Sequence, residues 1–217
     1  MIIKRLQELM DFKNLIKRLF FSFLIIIFYL FSLVDLMYLL FLGFIVYLFI
    51  FYEVYSNFIK KKFLIFLYLF ISFLFYYFYI QNYFILFYFN LLILSIVSFD
   101  TFSYFFGVLF GRNYIFKNIS PKKTLEGYLG GILFTNVILI FYLTINTDIL
   151  DYKNLFILIN TFIILALFGD LFESFLKRKN KLKDSSNFIP GHGGFFDRFD
   201  SFIPNIIFLS LYSYIIL

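Results

Sequence analysis

The chain has 217 residues, 63% hydrophobic and only 15% charged, with 39 Phe, 18 Tyr, no Trp and no Cys. A soluble domain is nearer half apolar and about a quarter charged, and apolar runs of near-spanning length recur here, so the chain reads as an integral membrane protein. Lacking cysteine, it has no disulfide framework, thiol nucleophile or Cys-based metal site. Its formal charge of +6 does not point to nucleic acid, because Lys and Arg sit in short blocks beside apolar spans.

Residues 1–18 form a basic, amphipathic opening with Lys4, Arg5, Lys13, Lys17 and Arg18. No small-residue cleavage pattern precedes the first apolar run, so the first span is expected to stay in the mature protein. Spans are predicted at 19–34, 36–52, 63–80, 83–99, 128–143, 154–169 and 202–217. Several fall short of the ~20 residues that cross a ~30 Å core, so their ends are expected in the flanks. The run 83–111 is interrupted by Asp100 and Ser103, which leaves room for a re-entrant or surface helix within 100–127.

With the N-terminus inside, 18 of the 19 Lys and Arg fall on the cytoplasmic side, and only Lys153 lies outside, near Asp148 and Asp151. Such asymmetry over short loops predicts an all-α, polytopic membrane protein with about seven spans, N-in and C-out. No repeat or soluble insert divides it. One membrane domain, 1–217, is expected, with N-terminal spans in 1–99 and the catalytic part in 100–217.

The polar residues gather at 169–201, where an apolar chain suddenly carries Asp170, Glu173, Asp184, Asp197 and Asp200 with six basic residues and its one His. In lipid, ionisable residues mark function by default. Asp170, Glu173, Ser174, Lys177 and Arg178 have the spacing of one face of a helix that continues the sixth span. Asp197 and Asp200, three apart, share a face at the start of the last helix. With Asp170 they make an all-oxygen set that suits Mg²⁺ on substrate phosphates rather than zinc or copper. Gly191, Gly193 and Gly194 offer flexible backbone able to present N–H groups to an anion. His192, with no second His or Cys, reads as a hydrogen-bonding or loop residue.

Within 100–127, Asp100 and Tyr104 are one turn apart, and Gly107 and Gly111 permit close packing. Ser120-Pro121-Lys122-Lys123-Thr124, ahead of Glu126-Gly127, makes a basic turn suited to phosphate. Alone, such a loop is ordinary membrane topology. Carboxylates, glycine-rich backbone and Lys/Arg at one boundary are together what phosphoryl or nucleotidyl transfer requires, with a lipid and a soluble nucleotide as substrates. A transporter would instead distribute charges over several spans near mid-membrane.

The run Ser174-x-Leu176-Lys177-Arg178-x4-Lys183-Asp184-x-Ser186-x2-Ile189-Pro190-x-His192-Gly193-Gly194-x2-Asp197-Arg198-x-Asp200 resembles the signature of the phosphatidate cytidylyltransferases, or CDP-diacylglycerol synthases. Asp100-x3-Tyr104-x2-Gly107-x3-Gly111, Ile119-Ser120-Pro121-x-Lys123-Thr124-x-Glu126-Gly127 and Gly169-Asp170-x2-Glu173-Ser174 resemble that family's other conserved blocks. Ser103 and Leu125 depart from residues common in the family, and the chain is shorter in its N-terminal spans.

The resemblance implies a multi-pass enzyme of the cell inner (cytoplasmic) membrane, its site facing the cytoplasm. It would join CTP and phosphatidic acid into CDP-diacylglycerol and pyrophosphate with Mg²⁺ and, in one version, a second cation. It implies Asp170, Asp197, Asp200 and Asp184 as metal ligands. Asp170, Lys177, Lys183, Asp197 and Arg198 would carry the reaction, with Asp100, Ser120, Lys123, Thr124, Ser174, His192, Gly193 and Gly194 contacting the bound groups. Membrane lipids are the expected surroundings, nucleic acid is not an expected partner, and a homodimer is a family-level expectation. A relative acting on another lipid phosphate or on a polyprenol is the alternative enzyme reading.

Overall fold

The computed structural model describes residues 23–146, 152–189 and 193–216. Its secondary structure is helical: α1 (Phe23–Ser32), α2 (Leu36–Asn57), α3 (Lys62–Asn82), α4 (Leu86–Phe110), α5 (Leu125–Asn146), α6 (Tyr152–Lys179), α7 (Phe196–Phe199) and α8 (Phe202–Ile216). The only β pairings among the described residues are two isolated antiparallel bridges, Tyr114–Thr124 and Ile189–Gly193. The all-α expectation holds. Helices α2 to α6 are each long and apolar enough to cross a membrane, while α1 and α8 are apolar but shorter.

Helices α2 to α6 come out longer than their short predicted spans, as those spans required. The span predicted at 36–52 runs on to Asn57, and that at 154–169 to Lys179. At ~1.5 Å per residue, the 28 residues of α6 outreach a ~30 Å core, so its polar last turns emerge as a rigid extension of the span. One expectation is corrected. Among the described residues no separate re-entrant or surface helix occupies 100–127: α4 runs unbroken through Asp100 and Ser103 to Phe110, and 111–124 is loop. Asp100 is exposed toward the end of this apolar helix, within the fields of Lys123 and Arg198.

Helices α4 and α5 form the closest pair in the bundle. A Cβ on Gly127 would fall 2.7 Å from the Ser103 carbonyl oxygen and 3.1 Å from Gly107 Cα. Small residues on both sides are what let the two backbones approach. Thr124 starts α5 by accepting the Gly127 N–H on its hydroxyl at 3.2 Å, an N-cap. Glu126 receives the Arg112 and Asn113 backbone N–H groups, which ties the loop after α4 to the first turn of α5.

Farther along, Asn136 and Asn160 exchange side-chain hydrogen bonds of 3.1 and 3.0 Å between α5 and α6. Helix α8 packs on α3, α6 and α4. An apolar cluster, with Ile50, Val54, Phe58, Ile65, Leu69, Leu176, Phe196 and Ile203, joins α2, α3, the end of α6, α7 and α8. Its members Leu176 and Phe196 adjoin Lys177 and Asp197 in the chain.

Candidate active site

The end of α6 presents its polar face inward. Glu173, Ser174 and Lys177 are buried, and Asp170 is half-buried. The helical spacing read from the sequence therefore converts into one wall of a site. Lys177 Nζ lies 2.7 Å from Glu173 Oε2 and 2.6 Å from Asp197 Oδ1. Asp170 pairs with Lys123, and Ser174 Oγ stands 3.5 Å from Asp170 Oδ1. Arg178, by contrast, is exposed and donates to the backbone carbonyls of Ile119 at 3.2 Å and Leu182 at 2.7 Å. It pins the loop before Ser120 against the end of α6.

The opposite wall is the loop and short helix around 184–200. Asp197 Oδ2 accepts the Ser185 N–H at 2.9 Å, the Ser185 hydroxyl at 3.0 Å and the Gly194 N–H at 2.8 Å. The glycines make this possible. Gly193 has φ +85, and a Cβ there would meet Asp197 Oδ2 at 2.5 Å; glycine adopts this conformation without steric cost. The expected anion on these backbone N–H groups is thus the protein's own carboxylate at Gly194. Ile189 and Gly193 close the loop through a 2.8 Å backbone hydrogen bond. Pro190, Gly191 and the site candidate His192 lie outside the described residues.

The third wall comes from 100–127. Lys123 reaches Asp170, and its ring-face neighbour is Tyr128, 5.8 Å from the ammonium. Ser120 is half-buried in the turn that Lys123 closes by donating its N–H to the Ser120 carbonyl at 3.2 Å. Thr124 is spent on capping α5. Arg198 is exposed on α7, and Lys183 and Asp184 are exposed in the loop, Asp184 Cβ lying 3.5 Å from where a Gly193 Cβ would be. The structure thus brings together Asp100, Lys123, Asp170, Ser174, Lys177, Asp197 and Asp200, with Lys183, Asp184 and Arg198 toward the rim.

Electrostatics sharpen this picture. Burial pushes the Asp200 carboxyl up to about 7, the Asp100 charge adding to it against Lys123. Burial also pulls Lys123 below the ordinary ammonium range, although Asp200, Asp100 and Glu173 all oppose the shift. At Asp197 burial acts upward, but the Glu173 carboxyl, the Lys177 ammonium and the Gly194 N–H together hold it below the usual carboxylate range. Among the described residues, five acidic side chains, Asp100, Asp170, Glu173, Asp197 and Asp200, gather around the Lys123 and Lys177 ammonium groups, with Arg198 also acting on Asp100. Among the described residues, the Glu173 oxygens receive no hydrogen bond besides the Lys177 ion pair.

Among the described residues no three His, Cys, Asp or Glu side chains converge as a ready cation cage. The ammonium groups of Lys123 and Lys177 stand between the carboxylates instead. This arrangement fits a divalent cation: the donors are all oxygen, negative charge is in excess, and a positive group already occupies the space between them.

Sequence reasoning overlooked Glu53. It is fully buried at the end of α2, and its carboxylate accepts from Ser185 Oγ at 3.0 Å, Ser186 Oγ at 2.7 Å, Phe195 N at 2.7 Å and Phe196 N at 3.0 Å. One signal was present. Glu53 is the only acidic residue between Asp35 and Asp100, and an acid in an apolar run invites a functional reading. Glu173, which spacing alone places on the polar face of α6, joins the site through its burial and its pairing with Lys177.

A family model described as "Cytidylyltransferase family" matches residues 2–216. Among curated relatives, a phosphatidate cytidylyltransferase of Aquifex aeolicus is 44% identical over 114 residues, covering 52% of this chain and 42% of the relative. One from Thermotoga maritima is 38% identical over 131 residues, covering 58% and 47%. One from Staphylococcus haemolyticus is 42% identical over 110 residues, covering 48% and 40%. The matched stretch thus spans less than half the length of each of these relatives.

Proposed function

The chain belongs to the cytidylyltransferase family, and from that premise we propose that it transfers the cytidylyl group of CTP to phosphatidic acid, giving CDP-diacylglycerol and pyrophosphate. The observation that carries the reading is the charged cluster in which Lys123 and Lys177 are held among Asp100, Asp170, Glu173, Asp197 and Asp200, on an otherwise apolar bundle. A soluble, highly charged nucleotide and a lipid phosphate meet only at such a boundary. The names of the relatives agree with it.

The chemistry follows from the groups present. The second ionisation of a phosphate monoester has a pKa of about 6, so the lipid phosphate is mostly dianionic at neutral pH and needs no strong base. One of its oxygens forms a bond to the α-phosphorus of CTP. The bond from that phosphorus to the α,β-bridging oxygen breaks, and its electron pair leaves with pyrophosphate. Charge neutralisation and alignment are then the protein's task. In this reading Lys123 and Lys177, with Arg198 and Lys183 from the rim, would take up phosphate charge, and Ser120, Ser174, Asp100, His192, Gly193 and Gly194 would contact the bound groups. Mg²⁺ would be held by Asp170, Asp197 and Asp200, with Asp184 beside them, and would supply Lewis-acid neutralisation of the triphosphate; a second cation would fit the remaining acidic charge.

Seven crossings, N-in and C-out, would put this cluster at the cytoplasmic face of the inner membrane, where CTP is available; the 18-to-1 partition of Lys and Arg supports that orientation. Residues 1–217 then act as one membrane domain, with 100–217 carrying the chemistry and the earlier spans supporting it. A homodimer within the bilayer belongs to the same reading. The test is incorporation of labelled CTP into chloroform-soluble lipid by the purified protein. Phosphatidate and Mg²⁺ are each supplied or withheld, and a polyprenyl phosphate is offered in parallel. Label appearing only with phosphatidate and Mg²⁺ is the expected result. Label on the polyprenyl phosphate alone would replace the acceptor, and no label on either would overturn the reading.

A further inference from the structure

We infer that Glu53 is a positioning residue: through Ser185 and the backbone of Phe195 and Phe196 it fixes the orientation in which Asp197 meets Lys177. The inference rests on the cytidylyl-transfer reading and extends it to a helix that carries none of the signature. A carboxylate buried beside Ile50, Val54 and Phe58 is costly unless its oxygens are satisfied. All four of its donors come from residues 185–196. Four residues further along α2, on the same face, Asn57 Nδ2 donates to the Ser185 carbonyl at 2.7 Å. Helix α2 therefore grips the loop at two points one turn apart.

The grip reaches the site through one atom. Ser185 Oγ lies 3.0 Å from Glu53 Oε2 and 3.0 Å from Asp197 Oδ2. A hydroxyl has a single proton to donate, so the two carboxylates share it, and moving one alters what the other receives. Gly194 closes the arrangement. A Cβ there would lie 2.1 Å from Ser185 Oγ and 2.6 and 2.7 Å from the Glu53 oxygens, so the loop rests directly on the carboxylate. Asp197 in turn holds Lys177 at 2.6 Å. The path from Glu53 to Lys177 is continuous, and every step in it is a hydrogen bond or ion pair.

Glu53→Gln keeps the side-chain volume but leaves one acceptor oxygen and introduces two donor hydrogens, so the four donors can no longer all be met. Loss of hydrogen bonds to a charged group corresponds to about a tenfold to hundredfold effect, expected here in kcat with KM for CTP little changed. Ser185→Ala should fall in the same range. The double variant should lose less than the two single losses combined, because both disturb the shared Ser185 hydroxyl that reaches Asp197.

Additive losses in the double variant would overturn the inference. So would wild-type kcat in Glu53→Gln, or a loss fully recovered when each variant is assayed well below its own melting temperature. If the wild-type chain forms no CDP-lipid, the functional reading fails on its own, and the grip is read by hydrogen exchange. Faster exchange of the Phe195 and Phe196 amides in Glu53→Gln than in wild type supports it, and unchanged exchange overturns it.

Discussion

Lys177 Nζ sits 2.6 Å from Asp197 Oδ1, joining the end of α6 to α7 across the signature loop. Both side chains are largely removed from solvent, at 11% and 7% exposure, and Glu173 lies 2.7 Å away on the other side of the ammonium. Lys177 therefore bridges two carboxylates at once. Removing it as Lys177→Met leaves both without their cation, and breaking a buried pair from one side costs roughly 3–5 kcal/mol. We expect a marked fall in the melting temperature of the detergent-solubilised protein, partly restored in Lys177→Met/Asp197→Asn. A melting temperature equal to wild type in the single variant would show that the pair contributes nothing to stability.

Asp170→Asn tests the other half of the site. The amide keeps the shape of the carboxylate and removes its charge, so Lys123 loses its paired anion and the proposed Mg²⁺ loses a ligand. Turnover is expected to disappear while the protein still elutes as a folded species on size exclusion, because Asp170 is half-exposed and its neutral form is cheap to accommodate. Asp197→Asn should likewise abolish turnover. Near-normal CDP-diacylglycerol formation by either variant would remove these residues from the ligand set.

Much of this site was legible before any coordinates, and the reason is physical. In an apolar chain a charged residue is costly, so the spacing of Asp170, Glu173, Ser174 and Lys177 spoke for itself, and α6 does continue through all four. Other features were hidden. Asp100 and Ser103 looked like a break in the fourth span, yet α4 passes through them, with the exposed carboxylate near Lys123 and Arg198 from other elements. Glu53 looked like the flank of a span, since its partners lie 132 to 143 positions away. Periodicity reports which face a residue occupies; it is silent about which distant loop will be laid against that face.

Two titrations give the metal-free protein opposite pH responses. The Asp200 carboxyl is raised to about 7, above its unfolded value of about 3.9. Between these values the folded state holds a proton that the unfolded state has released, so stability falls as pH rises toward 7. Asp197 is depressed, so its contribution is present above about pH 4 and is lost as pH falls through its folded pKa. Melting temperatures in chelator at pH 5 and pH 8 should therefore drop more for wild type than for Asp200→Asn. With Asp200 as a ligand of the proposed site, Mg²⁺ binding would displace its proton, so apparent Mg²⁺ affinity should rise with pH up to about 7, where Asp200 titrates, and then level. An affinity independent of pH over that range would exclude Asp200 from the ligands.

Gly194→Ala probes whether the loop must touch both carboxylates. The added Cβ would lie 2.1 Å from Ser185 Oγ and 2.6 Å from Glu53 Oε2, distances no methyl group tolerates. Neither neighbour yields cheaply: Ser185 is buried and shared between Glu53 and Asp197, and Glu53 is fully buried with four donors upon it. Relief must come from the backbone, which would carry the Gly194 N–H away from Asp197 and the Phe195 N–H away from Glu53. Overpacking of this kind costs about 1–3 kcal/mol, and each broken hydrogen bond to a charged group adds ~1.5 kcal/mol or more. Activity should fall by at least a hundredfold, with increased protease cutting between Lys183 and Arg198 before the bundle itself melts. Wild-type activity in Gly194→Ala would mean that the loop opens from these carboxylates during turnover.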